Sequence, residues 1–186
     1  MTQSIERHLG RAATMTADEY IAAYGGSPRP HRIVIGAAIA GPSNDKPSVL
    51  IVQRSAHERS YPNEWEIPGG HVDPGELISK TVVREVLEET SLVVTKIIGA
   101  FAGFDYRSTK YEEDESEDKD DTTYSICTRQ LNYCVEVQNT SAVKLNPDEH
   151  QNYAWCTVDT IEQFEMTPAM SKVVRDALDA LSRFKE

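Results

Sequence analysis

Residues 69 to 92 read GGHVDPGELISKTVVREVLEETSL, a turn-rich stretch running into a helical pattern that carries four glutamates and one arginine. At about 100° per residue, Glu85, Glu88 and Glu89 span roughly 100° of one helix face, with Val83, Val86 and Leu87 on the other side. The spacing predicts a helix with a carboxylate front and an apolar back laid on a core. Like charges at i, i+3 and i+4 cost about 0.2–0.5 kcal/mol per pair in a bare helix, so a cation is expected to face them. Oxygen donors suit Mg²⁺, which keeps some of its waters and also binds substrate phosphates. Arg84 stands beside the acids, where its planar fork can hold a carboxylate. The run Thr81, Val82, Val83 is a mediocre helix former, so packing must help to hold this helix.

Ahead of the helix, Pro68-Gly69-Gly70 and Pro74-Gly75 supply turn chemistry. A loop folded back this way can aim a main-chain oxygen at the same cation.

Gly70, then Glu76 after five residues, then Arg84-Glu85-Val86-Leu87-Glu88-Glu89-Thr90-Ser91-Leu92 after seven more, resembles the signature of the Nudix hydrolases. Ser91 stands where the family pattern has glycine. A left-handed backbone is often wanted just past a helix end, and there serine is strained by about 1 kcal/mol. No proposed ligand is lost by this change.

The resemblance implies an α/β fold, an α/β/α sandwich around a mixed β-sheet. It also implies Mg²⁺-dependent hydrolysis of a pyrophosphate bond in a nucleoside diphosphate derivative, with Mn²⁺ able to substitute. Under it, Glu85, Glu88 and Glu89 are the metal ligands, joined by the Gly70 carbonyl, with Glu76 further out and Arg84 orienting Glu85. The attacking water needs a base. In the family that base is either a signature glutamate or one from a later loop, and here the later candidate is Glu149.

Arg54, Trp65 and Glu66 precede the glycines and are candidates to line a nucleotide pocket. The competing reading makes Trp65 core and Arg54 a surface charge. Tyr106 lies where family members place specificity residues. No motif marks coenzyme A, NADH or ADP-ribose specificity, so nucleoside triphosphates and dinucleoside polyphosphates stay open. The alternative to an enzyme is a catalytically silent Nudix-fold module that binds a nucleotide or a protein. The intact set of mutually repelling acids argues against it.

The chain has 186 residues, 39% of them hydrophobic, enough for one sizeable core. The expected organisation is an N-terminal extension over 1–28 and a single domain over 29–186 with an acidic loop at 112–121. No apolar run is long enough to span a bilayer and no signal-peptide pattern opens the chain, so the expectation is a cytoplasmic protein without membrane contact. Cys127, Cys134 and Cys156 lack paired spacing and read as reduced thiols. The formal charge is −11, and residues 112–121 alone, with eight acids and one lysine, supply −7. That excess reads as a solvated loop and argues against nucleic-acid binding. No protein partner is identified by the sequence.

The remaining pattern predicts a short helix over 17–23, breaks at 25–30, and a strand over 32–40 buried on both faces with 49–53 as its hairpin partner. A short strand near 64–67 precedes the signature. Strands over about 93–104 and 123–137 follow it, then one over 153–157, and helical segments over 158–165 and 168–184. Phe101 and Phe104 have opposite strand parity and are expected on opposite faces. His57, His71 and His150 read as solvated loop residues.

Overall fold

The computed structural model of the protein describes residues 10–42, 46–111 and 123–184; residues 1–9 and the acidic stretch lie outside them. Its elements in chain order are α1 (Ala17–Tyr24), β1 (Arg32–Ile39), β2 (Val49–Arg54), β3 (Trp65–Glu66), α2 (Ile78–Thr90), β4 (Val94–Tyr111), β5 (Thr123–Val137), β6 (His150–Cys156), a 3₁₀ turn (Ile161–Gln163) and α3 (Pro168–Phe184). Where a helix was expected over 158–165, only that single turn forms.

The strands make two three-stranded sheets, ordered β1-β5-β4 and β3-β2-β6. β1 runs parallel to β5, and β4 antiparallel to it, so the first sheet is mixed. The expected β1–β2 hairpin does not form: β2 pairs with β3 and β6, and among the described residues an isolated bridge, Ala40 to Val49, links the ends of β1 and β2. Two apolar runs either side of a Gly/Pro turn look the same whether they pair or pass into adjacent sheets. β1 follows the second course because both its faces are buried.

Alternation along β1 sends Ile33, Ile35, Ala37 and Ile39 into one core cluster and Ala38 into another. The first cluster receives Ile78, Val82 and Val86 of α2; the second receives Val173, Val174, Ala177, Leu178 and Leu181 of α3. Helices thus cover both sides of the strands, giving the α/β/α sandwich. Cys127, Cys134 and Cys156 are buried free thiols. Among the described residues no helix is long and apolar enough to cross a membrane.

β4 is bulged. Its register against β5 shifts three times, one shift falling between Phe101 and Phe104. The inserted residue reverses parity, so both phenylalanines pack in the α3-side cluster, contrary to the expectation from alternation. The Ala102 carbonyl within this bulge accepts a hydrogen bond from Asn132 Nδ2 at 2.6 Å.

The segment ahead of β1 is packed into the same body. Thr16 caps α1 through a capping box with Glu19, whose amide donates to Thr16 Oγ1 at 3.3 Å. Ala12 and Tyr20 are buried in the α2-side cluster. Arg129 Nη1 donates to the Tyr24 carbonyl at 3.0 Å, tying α1 to β5.

Candidate active site

The buried face of α2 is centred on Glu85 and Glu89, flanked by Ile78, Thr81, Val82, Val86 and Thr90. Val83 and Leu87, expected in the core, are exposed, and so is Glu88. The buried face is rotated from the expected one: Val86 is buried beside Glu85 and Glu89, whereas Glu88 shares the exposed side with Val83 and Leu87. Ile78, Val82 and Val86 anchor the helix, and anchoring them turns Glu85 and Glu89 inward.

What receives these carboxylates is the loop before the helix. It runs along β1 like a further strand: the Ala37 amide donates to the Pro68 carbonyl at 2.7 Å and the Ile35 amide to the Gly70 carbonyl at 2.8 Å. A Cβ on Gly69 would overlap the Ile35 carbonyl, and one on Gly70 would overlap the Glu85 carboxylate. Glycine is required at position 69, where the neighbour is backbone, and at Gly70 it leaves room for the Glu85 carboxylate. The Gly69 amide donates to Glu89 Oε2 at 3.2 Å. The Gly70 carbonyl keeps its second lone pair for another donor or a cation.

Arg84 gathers the acids that surround it. Its Nε and Nη2 donate to the two oxygens of Glu76 at 3.1 and 2.9 Å, and Nη1 donates to Glu85 at 2.9 Å and Glu88 at 3.0 Å. Nη2 also donates to the His71 carbonyl at 3.1 Å. Hydrogen bonding to Glu76, followed against the effect of burial by the charge of Glu85 and hydrogen bonds to Glu88 and Glu85, raises the Arg84 pKa, and the contact with Arg84 lowers that of Glu76.

The end of the second sheet closes the other side. The β2–β6 register shifts between Gln53 and Arg54, which seats His150 rather than Gln151 opposite Arg54. Arg54 is half-buried and fully engaged: Nη1 donates to Glu66 at 2.7 Å, Nη2 to Glu58 at 2.9 Å and Nε to the Ser60 carbonyl at 2.8 Å. His150 Nε2 lies 3.4 Å from Glu66 Oε1. The loop bearing Glu149 is docked on the last turn of α2, where the Lys144 amide donates to the Thr90 carbonyl at 2.9 Å and the Asn146 amide to the Glu89 carbonyl at 3.0 Å. Those carbonyls have no partner within the helix. Asn146 Nδ2 then holds Glu149 Oε1 at 3.0 Å.

Ligand atoms of Glu89, Glu149 and His150 accordingly lie within 4.8 Å of one another. His150 is 3% exposed, not the solvated loop residue expected from sequence. The apolar pattern of β6 begins only at Tyr153, and nothing in the sequence announces a bulge that turns His150 inward. His57 and His71 are exposed, as expected.

Burial first, then the charges of Glu66, Glu85 and Glu149, push the Glu89 carboxyl well above the usual carboxylate range, against the pull of the Gly69 amide. Burial also raises Glu85, opposed by Arg84. Carboxylates crowded and desolvated to this degree fit a bound divalent cation, which would restore their charged form.

Of the pocket candidates, Trp65 is half-buried and packs edge-on against Phe164 with ring centroids 4.9 Å apart, and it joins the α3-side cluster. Tyr106 is 39% exposed and tilts against Phe104 at 5.7 Å. Glu66 stands between Arg54 and His150 at the site's edge. Arg32 Nη1 lies 3.3 Å from His71 Nε2 beside the glycine turn, a cation near the site that its place at the start of an apolar strand did not suggest.

Residues 30–177 match the NUDIX domain family. The nucleoside triphosphatase NudI of Escherichia coli K12 is 31% identical over 117 residues, covering 62% of this chain and 77% of that protein. The MutT protein of Methanosarcina mazei Go1 superposes with a TM-score of 0.52 at 26% identity, over 84% of this chain and 96% of the other. The NUDIX domain of Shewanella oneidensis NrtR, crystallised with ADP ribose, gives a TM-score of 0.55 at 19% identity, over 90% of this chain and 99% of that domain. At that identity the last likeness speaks for the fold alone.

Proposed function

The chain belongs to the NUDIX hydrolase family, and from that premise we propose that it hydrolyses a pyrophosphate bond in a nucleoside triphosphate or dinucleoside polyphosphate with Mg²⁺, Mn²⁺ being able to substitute. The observation that carries this reading is the burial of Glu85 and Glu89 beneath the Gly69-Gly70 turn, with Glu149 brought in from the opposite side. Glu85, Glu88 and Glu89, with the Gly70 carbonyl, would hold the metal. When bound it supplies charge neutralisation for the polyphosphate oxygens.

The chain's own residues supply the rest. Arg84 holds Glu85 and Glu88 in register and offsets their repulsion while the site is being filled. Glu149 is our candidate to take the proton from the attacking water, and its carboxylate is steadied by Asn146. Water adds to phosphorus, the bridging P–O bond breaks, and the departing phosphate carries away the electron pair. Tyr106, partly exposed, is assigned to the nucleobase, and Trp65 to the pocket wall. Arg54, engaged by Glu58 and Glu66, acts by positioning Glu66 at the site's edge. The nucleotide relatives support this choice of substrate. A cytoplasmic setting suits both the substrate and three unpaired thiols.

The test is phosphate and pyrophosphate release from a nucleotide panel with Mg²⁺ and with EDTA, the products being identified by mass. Glu88→Gln should lower turnover by about 100-fold while leaving the circular dichroism spectrum unchanged, since the side chain is exposed. Near-normal activity in that variant sinks the metal assignment. No turnover on any member of the panel turns the reading to a silent binding module.

A further inference from the structure

The face of the first sheet that looks toward α3 turns polar halfway along β5. Its successive rungs are Ala38–Cys134, Gly36–Asn132–Phe101, Val34–Gln130–Phe104 and Arg32–Thr128–Tyr106. Ala38, Cys134 and Phe101 share an apolar cluster with α3, whereas the last rung reaches the surface at Tyr106. Between these ends two carboxamides are buried, Asn132 at 0% and Gln130 at 8% exposure. Gly36 leaves them room: a Cβ there would lie 2.5 Å from Asn132 Oδ1 and 2.8 Å from Gln130 Nε2. Polar groups taken out of water in this way are unfavourable unless they are bonded.

The two amides form a chain with one direction. The Ala102 carbonyl, within the β4 bulge, can only accept, so it takes Asn132 Nδ2 at 2.6 Å and leaves Asn132 Oδ1 turned to Gln130. That oxygen accepts from Gln130 Nε2 at 2.8 Å. Reversing the Gln130 amide would set two acceptors against each other. The open end of the chain is therefore Gln130 Oε1, an acceptor without a hydrogen-bond partner among the described residues. Of the side-chain polar atoms sealed from solvent there, Tyr133 Oη and His150 Nδ1 lack a partner, and Gln130 Oε1 is not among the sealed ones. It faces whatever occupies this side of the sheet.

The rung that carries Gln130 also leads to the acidic site. His71 bridges to Val34, so the order across the sheet is His71, Val34, Gln130, Phe104. With neighbouring strands about 4.8 Å apart, Gln130 stands roughly 10 Å across the sheet from the glycine turn. That span suits a ribose placed between phosphates at the acids and a base laid against Phe104 and Tyr106, whose ring centroids are 5.7 Å apart.

We infer that Gln130 is a specificity-determining residue of the nucleotide site, its Oε1 accepting a hydrogen bond from the exocyclic amino group of a nucleobase, and that Asn132 is the positioning residue that keeps this acceptor outward. The inference rests on the nucleotide reading above and narrows its substrate class. Adenine, cytosine and guanine carry such an amino group, whereas thymine presents a carbonyl oxygen that would meet Oε1 as a second acceptor. A ring N–H is also a donor, but the amino group protrudes further and reaches an acceptor recessed between strands.

The experiment is calorimetric binding of nucleoside monophosphates to the full chain, in pairs that differ by one amino group: AMP and purine riboside monophosphate, CMP and its 4-deamino analogue, GMP and IMP. These ligands have no pyrophosphate bond, so turnover does not enter. In wild type the amino-bearing member of at least one pair should bind about 10- to 100-fold more tightly, the alternative being an unpaired acceptor in the complex. Gln130→Met should bring that pair to within about threefold by weakening the amino-bearing member, with its partner's affinity unchanged. Asn132→Leu, which frees Gln130 to turn, should narrow the same ratio. The wild-type comparison stands by itself should either variant fail to fold. Equal affinities within all three pairs, or no binding by any of them, overturn the proposal, as does a ratio that persists in folded Gln130→Met; the full ratio in folded Asn132→Leu removes Asn132 from the assignment. Hydrolysis of the triphosphates is read separately: turnover without discrimination leaves the pyrophosphohydrolase reading intact, and discrimination without turnover leaves a base-reading nucleotide site.

Discussion

The amide of Ile78 donates to the carbonyl of Met15 at 2.9 Å, and that of Ser79 to the carbonyl of Ala13 at the same distance. α2 needs these bonds, because its N-cap Leu77 provides no side-chain cap. Two of the helix's four orphan donors are therefore satisfied by backbone lying ahead of the family-matched residues 30–177.

Removing residues 1–24 should consequently loosen the helix that bears the acids. The deletion opens the start of α2 and strips Ala12 and Tyr20 from the core. Tyr20→Ala alone should cost about 3 kcal/mol, as for other large aromatic truncations. Urea unfolding of the two variants measures this. A deletion variant with the parental midpoint would show that the segment contributes nothing to the helix.

Arg84→Lys should be severe although it conserves charge. Arg84 makes two parallel bonds to Glu76 and reaches Glu85 and Glu88 with a third nitrogen. A lysine ammonium can satisfy one of these carboxylates at a time. The expected result is a fall in kcat of about 10- to 100-fold with a smaller change in KM, since the acids are misplaced rather than lost. Equal kcat in variant and wild type would reduce Arg84 to a surface charge.

Much of this site is legible from spacing, and the limits of that legibility are physical. Glu85 and Glu89 could be placed on one helix face from the period of 3.6, but which face meets the protein depends on β1 and the glycine turn, both distant in sequence. Glu149 could be nominated from the resemblance. His150 could not, because its burial follows from a register shift against Arg54. Likewise Phe101 and Phe104 share a cluster only through a bulge that alternation cannot anticipate. Local periodicity survives in the fold; register, bulges and the choice of strand partner are settled by contacts between distant segments.

Ser91, where the resemblance leads one to expect glycine, offers a further test. It adopts φ 57°, ψ 14°, the left-handed conformation at the end of α2. Its Oγ recovers part of the strain by donating to the Lys144 carbonyl at 3.0 Å. Ser91→Gly should relieve about 1 kcal/mol of backbone strain and lose an exposed hydrogen bond contributing about 0.5 kcal/mol. A net gain of about 0.5 kcal/mol in thermal or urea unfolding is expected, and a destabilised variant would mean that the hydroxyl outweighs the backbone.

Glu89→Gln links the site's electrostatics to stability. In the fold its carboxyl binds a proton more tightly than in the unfolded chain, because burial and the neighbouring acids raise its pKa. Such a group contributes stability that is fully present below the ordinary carboxylate pKa and is lost as pH rises through the raised folded value. Glutamine cannot ionise, so without metal the variant should unfold at a higher temperature than wild type at pH 8, with the difference shrinking toward pH 4. Divalent cation reverses the order, since it binds the folded wild type and stabilises it by mass action. Thermal unfolding of both proteins in EDTA and in Mg²⁺ across that pH range gives all four arms. A difference between the two proteins that is independent of pH in EDTA would mean that Glu89 is not strained by its burial, and the electrostatic case for a cation at this position would fall with it.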